Sequence, residues 1–518
     1  MRITDMLTRN AAVYGDDIAL VERRPDEGLR RQLTWREFDD LANRTADALR
    51  RRGIGKGDRV ALLMYNCLEW LPIYFGILRS GAVAVPLNFR FEAPTIAKCL
   101  LTAQSRILIF GEAFRDRIEA IRPELSGCIQ EYIYCGHGSK PPEFAGDWHT
   151  VAAQSAANPS PVHLHSADDA GLYFTSGTTG TPKATVLTHR NLEAAAEVEQ
   201  QHHRQIRRDN FLCIPPLYHT GAKMHWFGNL VVGAPAVILC GVRPQWILEA
   251  ISEEGVTIVW LLVPWALDLL WAIESKAVRL QDYRLKQWRL MHIGAQPVPA
   301  SLIEQWLKIF PYHRYDTNYG LTEASGPGCV HLGMDNVHKV GAIGKPGYGW
   351  EAKILDERFH AVAPGNPGEL AVRGPGVMKG YDRNPEATAA ALVDGWLLTG
   401  DIARQDKEGF IWLVDRKKDV IITGGENIFP VEIEDFLQAH PDIHDVAVIG
   451  LPDRRLGEVA AAVVMPKAGR TLTSEAIQQF CEALPRYKRP RRILFGEVPR
   501  NPTGKIEKPK LRQRYGRN

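Results

Sequence analysis

Residues 175–183 read TSGTTGTPK, a run of hydroxyl side chains with two glycines and one lysine, directly after the apolar pair Tyr173 and Phe174. Gly177 and Gly180 let backbone N–H groups come close to a ligand. Thr175, Ser176, Thr178 and Thr179 add hydroxyl donors, and Lys183 supplies a fixed positive charge. These are the parts of a phosphate cradle. The common cradle G-x-x-x-x-G-K-[ST] does not fit, because Pro182 stands five residues after Gly177 and Lys183 follows proline rather than glycine. A polar turn between two strands is the plainer reading of the same nine residues, and the rest of the chain has to decide.

Such a loop needs strands and helices to carry it, and the chain supplies them. Strand-like apolar runs (RVALLMYN, AVAVPLN, SRILIFG, VTIVWLL) alternate with amphipathic segments such as EWLPIYFGILRSG, the pattern of an α/β chain with largely parallel, buried strands. Val256 to Ile273 approaches transmembrane length. It contains Pro264 and Asp268, and it reads as a buried strand followed by a helix that starts at the proline. From about Gly341 short alternating strands broken by Gly and Pro predict a β-rich subdomain. The last hundred or so residues, rich in Lys and Arg, predict a small α+β domain, with its boundary at Asp415 to Lys418.

At 518 residues the chain exceeds what one core usually serves. A formal net charge of +3 gives no global field for nucleic acid or an anionic membrane. Eight cysteines are scattered without a C-x-x-C pair, and no histidines cluster at ligand spacing, which argues against a zinc site and a disulfide framework. The N-terminus MRITDMLTRNAAVYGDD lacks the apolar core of a signal peptide, so a reducing cytoplasm is the expected location.

The loop is followed in order by TVLTHRN, PPLYHTGA, NYGLTEAS, LLTGD, DRKKDVIITGGENIFPVEIE and NPTGKI. In that order and at those separations the chain resembles the acyl-CoA synthetase branch of the adenylate-forming superfamily, over nearly its whole length. The resemblance implies an α/β N-terminal domain of two lobes and a β-rich subdomain over 1–415, and a mobile C-terminal lid over 416–518. It implies ATP, Mg²⁺ and coenzyme A acting with a carboxylic acid: the carboxylate attacks the α-phosphate of ATP, and the CoA thiol then displaces AMP. Neither a nucleic acid nor an integral membrane segment is expected, and a homodimer is left open.

The roles follow from the same resemblance. The loop from Thr175 to Lys183 would hold the β and γ phosphates, and Lys505 in NPTGKI would bridge the carboxylate and the α-phosphate, although by composition it is one lysine in a basic tail. Glu323 with the Thr175 hydroxyl would hold Mg²⁺, Thr322 would touch the α-phosphate, Asn318 and Tyr319 would adjoin the nucleotide with Tyr319 stacked on adenine, and Asp401 and Arg416 would take the ribose. Lys418 would be the hinge, and Gly424 and Gly425 would let the pantetheine arm pass. The acyl pocket would draw on His219, Ala222, Lys223, Trp226, Gly294, Ala295 and Gly320, with Trp226 closing its far end if His219 to Trp226 is helical. Plain core for Trp226 and solvent for Lys223 are the competing readings.

Two departures from the family pattern are visible, Ala184 in place of glycine after the loop lysine and GAQP at 294–297 in place of GGAP. Both exchange one small residue for another. Two other functions stay open at this stage: an adenylation enzyme that hands its acyl group to a carrier protein, and a non-catalytic relative that binds nucleotide or acyl-CoA. Intact Lys505, Glu323 and Asp401 weigh against the second.

Overall fold

The computed structural model describes all residues of the chain except 176–181, 295–297, 332–333, 424–425, 501–505 and 517–518. Among the described residues, two large sheets make up the N-terminal part. The first is nine-stranded, and its central strands Ala236–Leu239, Phe211–Cys213, Ile258–Leu262, Leu290–Gly294 and Arg314–Gly320 run parallel. Antiparallel strands close both of its edges. The second is eight-stranded, with Val83–Pro86, Arg59–Leu63, Ile107–Gly111 and Glu131–Cys135 parallel and the hairpin Asp169–Thr175 and Lys183–Thr188 toward one edge. The runs RVALLMYN, AVAVPLN, SRILIFG and VTIVWLL give the strands Arg59–Leu63, Val83–Pro86, Ile107–Gly111 and Ile258–Leu262, since a parallel sheet covered on both faces needs apolar residues on both.

The helices Trp35–Arg51, Trp70–Arg79, His189–His203 and Thr220–Val232 contribute side chains to one core that also draws on both sheets. Trp226 lies in this core, with ring centroids 6.1 Å from Phe38 and 5.9 Å from Phe75. The helix His189–His203 begins with a reciprocal cap: Asn191 N–H donates to the Thr188 hydroxyl, and Thr188 N–H donates to Asn191 Oδ1. The Asn191 side-chain amide also donates to the carbonyls of Pro375 and Val377, which ties this helix to the following subdomain.

Residues Val256 to Ile273 form the strand Ile258–Leu262 and the helix Val263–Glu274, with Pro264 in the first turn where its missing N–H costs nothing. Among the described residues no helix is long and apolar enough to cross a membrane. The β-rich subdomain is a five-stranded sheet built on Glu351–Leu355, Gly368–Arg373 and Trp396–Gln405, with Ile411–Arg416 paired to the last. Beyond it a second five-stranded sheet, centred on Ile443–Asp453 and Gly457–Pro466, packs with the helices Pro430–Gln438, Ser474–Phe480 and Lys508–Tyr515 around cores of its own.

Candidate active site

The hairpin of the second sheet brings Thr175 directly opposite Lys183, so the two residues flank the connection between its arms. Ser176, Gly177, Thr178, Thr179 and Gly180 lie outside the described residues. The short strand Gly380–Tyr381 pairs with the outer arm of this hairpin, Tyr381 opposite Thr185. The ammonium of Lys183 stands 4.9 Å from the centre of the Tyr381 ring. The Tyr381 hydroxyl donates to Oε1 of Glu323 at 2.9 Å. Burial, with the Glu323 carboxylate beside it, raises the pKa of that phenol and keeps it a donor.

Glu323 belongs to the one-turn helix Thr322–Ala324 that follows the strand Arg314–Gly320. Its carbonyl accepts from Met378 N–H at 2.7 Å. Ser325 then takes a left-handed φ of 56°, an uncommon choice without glycine, and the chain returns antiparallel as Pro327–His331. Thr322 and Glu323 are thus fixed between the end of one sheet and the subdomain. Gly320 lies across a bulge from Pro327.

Two strands farther on, the subdomain sheet sets Asp401 opposite Arg416. Arg416 Nε is 2.9 Å from Oδ1 of Asp401, and the Tyr319 hydroxyl donates to Oδ2 at 2.5 Å. One carboxylate therefore joins three strands, one of them from the nine-stranded sheet. Burial raises the Tyr319 pKa well above its ordinary value, so the phenol stays protonated. Gly400, at φ 71°, turns the chain just before Asp401, and its carbonyl accepts from Lys417 N–H.

Asn318 faces a buried polar cluster that the sequence did not single out. Its amide donates to Glu199 Oε1 at 2.8 Å and approaches His225 Nε2 at 3.3 Å. His225 Nδ1 lies 2.6 Å from the Gly221 carbonyl, which can only accept, so Nδ1 carries the proton and Nε2 offers its lone pair to Asn318. His203 Nε2 stands 3.0 Å from Asp316 Oδ2, and His202 Nε2 stands 2.5 Å from Oδ1. Burial alone would lower the His202 pKa, but the adjoining Asp316 carboxylate outweighs it and raises it. Burial likewise works against the Asp316 charge, and His202 nonetheless holds that carboxyl well below its usual range. Only the fold shows this group, because its members come from two helices and one strand and only His202 and His203 adjoin in sequence.

The helix expected from His219 to Trp226 begins one residue later, at Thr220, with His219 as its flanking residue. Ala222, Lys223 and Trp226 face the inner core. Lys223 is buried rather than solvated: Nζ donates to the carbonyls of Leu217 and His219 at 2.7 and 3.0 Å, over the rings of Trp70, Tyr74 and Tyr173. Burial drives its pKa well below the ordinary value. The other face of the same helix carries Gly221 and His225. His225 stacks on Trp260 with centroids 4.3 Å apart, and an added Cβ on Gly221 would meet that indole at 3.3 Å. Gly294 ends its strand against Trp260, His292 and Thr317, and Ala295 lies outside the described residues. The structure thus brings Gly294 and Asn318 to the His225 face and leaves Lys223 and Trp226 away from it.

Lys418 is exposed in a turn closed by Asp419 N–H to the Arg416 carbonyl. On either side, Asp415 accepts from Val431 N–H and Asp419 pairs with Arg512, so both flanks are tied to the C-terminal domain. Burial pushes the Asp415 carboxyl up to about 6. Gly424 and Gly425 lie outside the described residues, between the paired strands Ile421–Thr423 and Glu426–Ile428. Lys505 also lies outside them, between the bridged residues Arg500 and Ile506.

Residues 7–382 match the AMP-binding enzyme family, and residues 432–505 match the AMP-binding enzyme C-terminal domain. The chain is 33% identical over 521 residues to the long-chain-fatty-acid–CoA ligase FadD13 of Mycobacterium tuberculosis, covering 98% of each. It is 33% identical to the indoleacetate–CoA ligase of Aromatoleum aromaticum, covering 100% of this chain and 99% of the relative. Among solved structures, the anthranilate CoA ligase AuaEII in complex with anthranoyl-AMP superposes with a TM-score of 0.88 at 26% identity, over 99% of this chain and 97% of that one.

Proposed function

The chain belongs to the AMP-binding enzymes as an AMP-forming acid–CoA ligase, and from that premise we propose how its residues divide the two half-reactions. In the first, a carboxylate oxygen of the acid bonds to the α-phosphorus of ATP, and pyrophosphate leaves with the electron pair of the broken P–O bond. Two anions meet in that step, so fixed positive charge and N–H or O–H donors at the reacting phosphate do most of the work. Thr175, Ser176, Gly177, Thr178, Thr179, Gly180 and Lys183 hold the outer phosphates. Thr322 contacts the α-phosphate, and Lys505 spans it and the attacking carboxylate.

The observation that carries this reading is the joint of Tyr319, Asp401 and Arg416. Each Asp401 oxygen keeps a lone pair beyond the one Tyr319 or Arg416 takes, so both ribose hydroxyls can donate to it, while the Tyr319 ring offers a face to adenine. Tyr381 occupies one oxygen of Glu323, leaving the other to hold Mg²⁺ with the Thr175 hydroxyl; a hard cation on phosphates needs only one or two such protein oxygens and supplies neutralising charge.

In the second half-reaction the sulfur of CoA attacks the acyl carbon and AMP leaves. The C-terminal residues beyond Lys418 turn about it relative to the chain before it, and Gly424 and Gly425 let the pantetheine arm run against backbone. The acid is a fatty, alicyclic or aromatic carboxylate, and the acids named for the relatives support the fatty and aromatic parts of that range. Eight free cysteines suit the reducing cytoplasm. The test is acid-dependent release of pyrophosphate from ATP, followed by CoA-dependent formation of thioester and AMP. Release of ADP and phosphate, or acyl transfer that proceeds without CoA, would overturn the reading.

A further inference from the structure

Three polar atoms from three neighbouring strands converge on the bare α-carbon of Gly294. An added Cβ there would stand 3.7 Å from each of Trp260 Nε1, His292 Nε2 and Thr317 Oγ1. Trp260 is 8% exposed, His292 0% and Thr317 6%. Trp260 Nε1 and His292 Nε2 have no hydrogen-bond partner among the described residues. A buried polar atom without a partner is costly, and two aimed into one niche call for a ligand group or a water.

The niche lies at the C-terminal ends of parallel strands, where open α/β sheets bind ligands. Thr317 precedes Tyr319 by two residues on the same strand, about 7 Å along it. The niche therefore adjoins the nucleotide joint. Its walls are set from behind: His225 stacks flat on Trp260, and His292 Nδ1 stands 3.2 Å from His203 Nε2, which is engaged by Asp316.

The donor pattern selects the ligand group. Indole N–H can only donate, so the group must accept from Trp260, which excludes an ammonium. Burial holds the His292 imidazole neutral, so no cation there invites an anion. A hydroxyl accepts from Trp260 while exchanging a proton-donating bond with His292 or Thr317 in either imidazole tautomer.

We propose that Trp260, His292 and Thr317 around Gly294 form a hydroxyl-recognising subsite, and that the acid this enzyme activates carries an alcohol or phenol hydroxyl on its acyl portion. The assignment rests on the reading of Tyr319, Asp401 and Arg416 as the nucleotide site. A site built to bond a hydroxyl rejects the analogue lacking it far more strongly than an apolar pocket rejects an added one.

The test uses the full-length enzyme with paired acids that differ only in one hydroxyl: 4-hydroxybenzoate and benzoate, 4-hydroxyphenylacetate and phenylacetate, 4-hydroxycinnamate and cinnamate, and ω-hydroxy and plain alkanoates of graded length. At least one hydroxylated member should exceed its partner about tenfold or more in kcat/KM. That ratio should fall toward one in Trp260→Phe, which keeps the ring and loses the N–H, and in Gly294→Ala, whose Cβ fills the niche at ordinary contact distance. Ratios at or below one for every pair would mean the niche holds water only and would overturn the proposal, as would a preference that survives both variants. If no acid in either series supports pyrophosphate release, the functional reading fails separately, and calorimetric binding of the same pairs to the wild type and the two variants still decides the subsite by the same ratios.

Discussion

The phenol of Tyr319 and the carboxylate of Asp401 meet at 2.5 Å although 82 residues separate them, and this bond fastens the nine-stranded sheet to the β-rich subdomain. Asp401 keeps its other oxygen on Arg416. The proposed nucleotide site therefore depends on two bodies of structure holding register with each other.

Asp401→Asn should test that joint. It removes the charge that Arg416 faces and one acceptor for a ribose hydroxyl, a charge-assisted loss of roughly 1.5 to 3 kcal/mol. The KM for ATP should rise about tenfold to a hundredfold. Tyr319→Phe, which keeps the ring, should raise it only a few fold. Equal effects of the two variants would mean that the hydroxyl and not the carboxylate carries nucleotide binding.

Lys505→Ala should cost adenylate formation about two orders of magnitude or more, as removal of one contact made at the reacting phosphate does in a dry site. Thioester formation from supplied acyl-adenylate should continue. The assay is single-turnover measurement of each half-reaction, and an equal fall in both would assign Lys505 elsewhere.

Lys418→Pro should give the opposite pattern. Proline restricts φ in the turn between Arg416 and Asp419, while the joint of Tyr319 and Asp401 remains assembled. Acyl-adenylate should accumulate and thioester should not form. Normal overall turnover would show that the chain pivots at another residue.

Trp226→Ala should behave as a core truncation. The indole is packed on Phe38 and Phe75, so its loss should cost about 3 to 5 kcal/mol of stability in denaturant unfolding. The ratio of kcat/KM between a long and a short acid should move less than about twofold. A clear shift toward longer acids at unchanged stability would put Trp226 back at the end of the acyl pocket.

Acid should destabilise the protein below about pH 6.5. Burial lowers the pKa of His189 and His225 to about 4 and that of His313 to about 3. Between the unfolded value near 6.5 and these folded values the unfolded chain binds more protons, so stability falls as pH falls. Each site contributes on the order of 3 kcal/mol by pH 4. His202, raised by Asp316, acts with the opposite sign: its contribution is whole below 6.5 and is lost as pH climbs through its higher folded value. Unfolding free energies measured from pH 4 to 9 should therefore be highest near neutrality, and a flat acid limb would contradict the burial of these histidines.

The reaction was legible in the sequence through its resemblance to the acyl-CoA synthetases, which the hydroxyl-rich loop at 175–183, LTEAS, LLTGD and NPTGKI carry in register; the loop by itself left a polar turn open. The sequence also determined the parallel sheets, because strands buried on both faces are apolar throughout. Which residues share a face with His225 was decided only by the tertiary structure. Lys223 and His225 stand two positions apart on one helix, and chain composition treats them alike; the packing turns Lys223 into an aromatic cage and His225 onto Trp260. A helix places residues two apart on different faces, but which face meets the inner core and which meets Trp260 depends on how the two sheets close over it. For the same reason Glu199, His203, His292 and Asp316 give no local signal, since their chemistry exists only where one helix and two strands, distant in sequence, bring them within hydrogen-bonding reach.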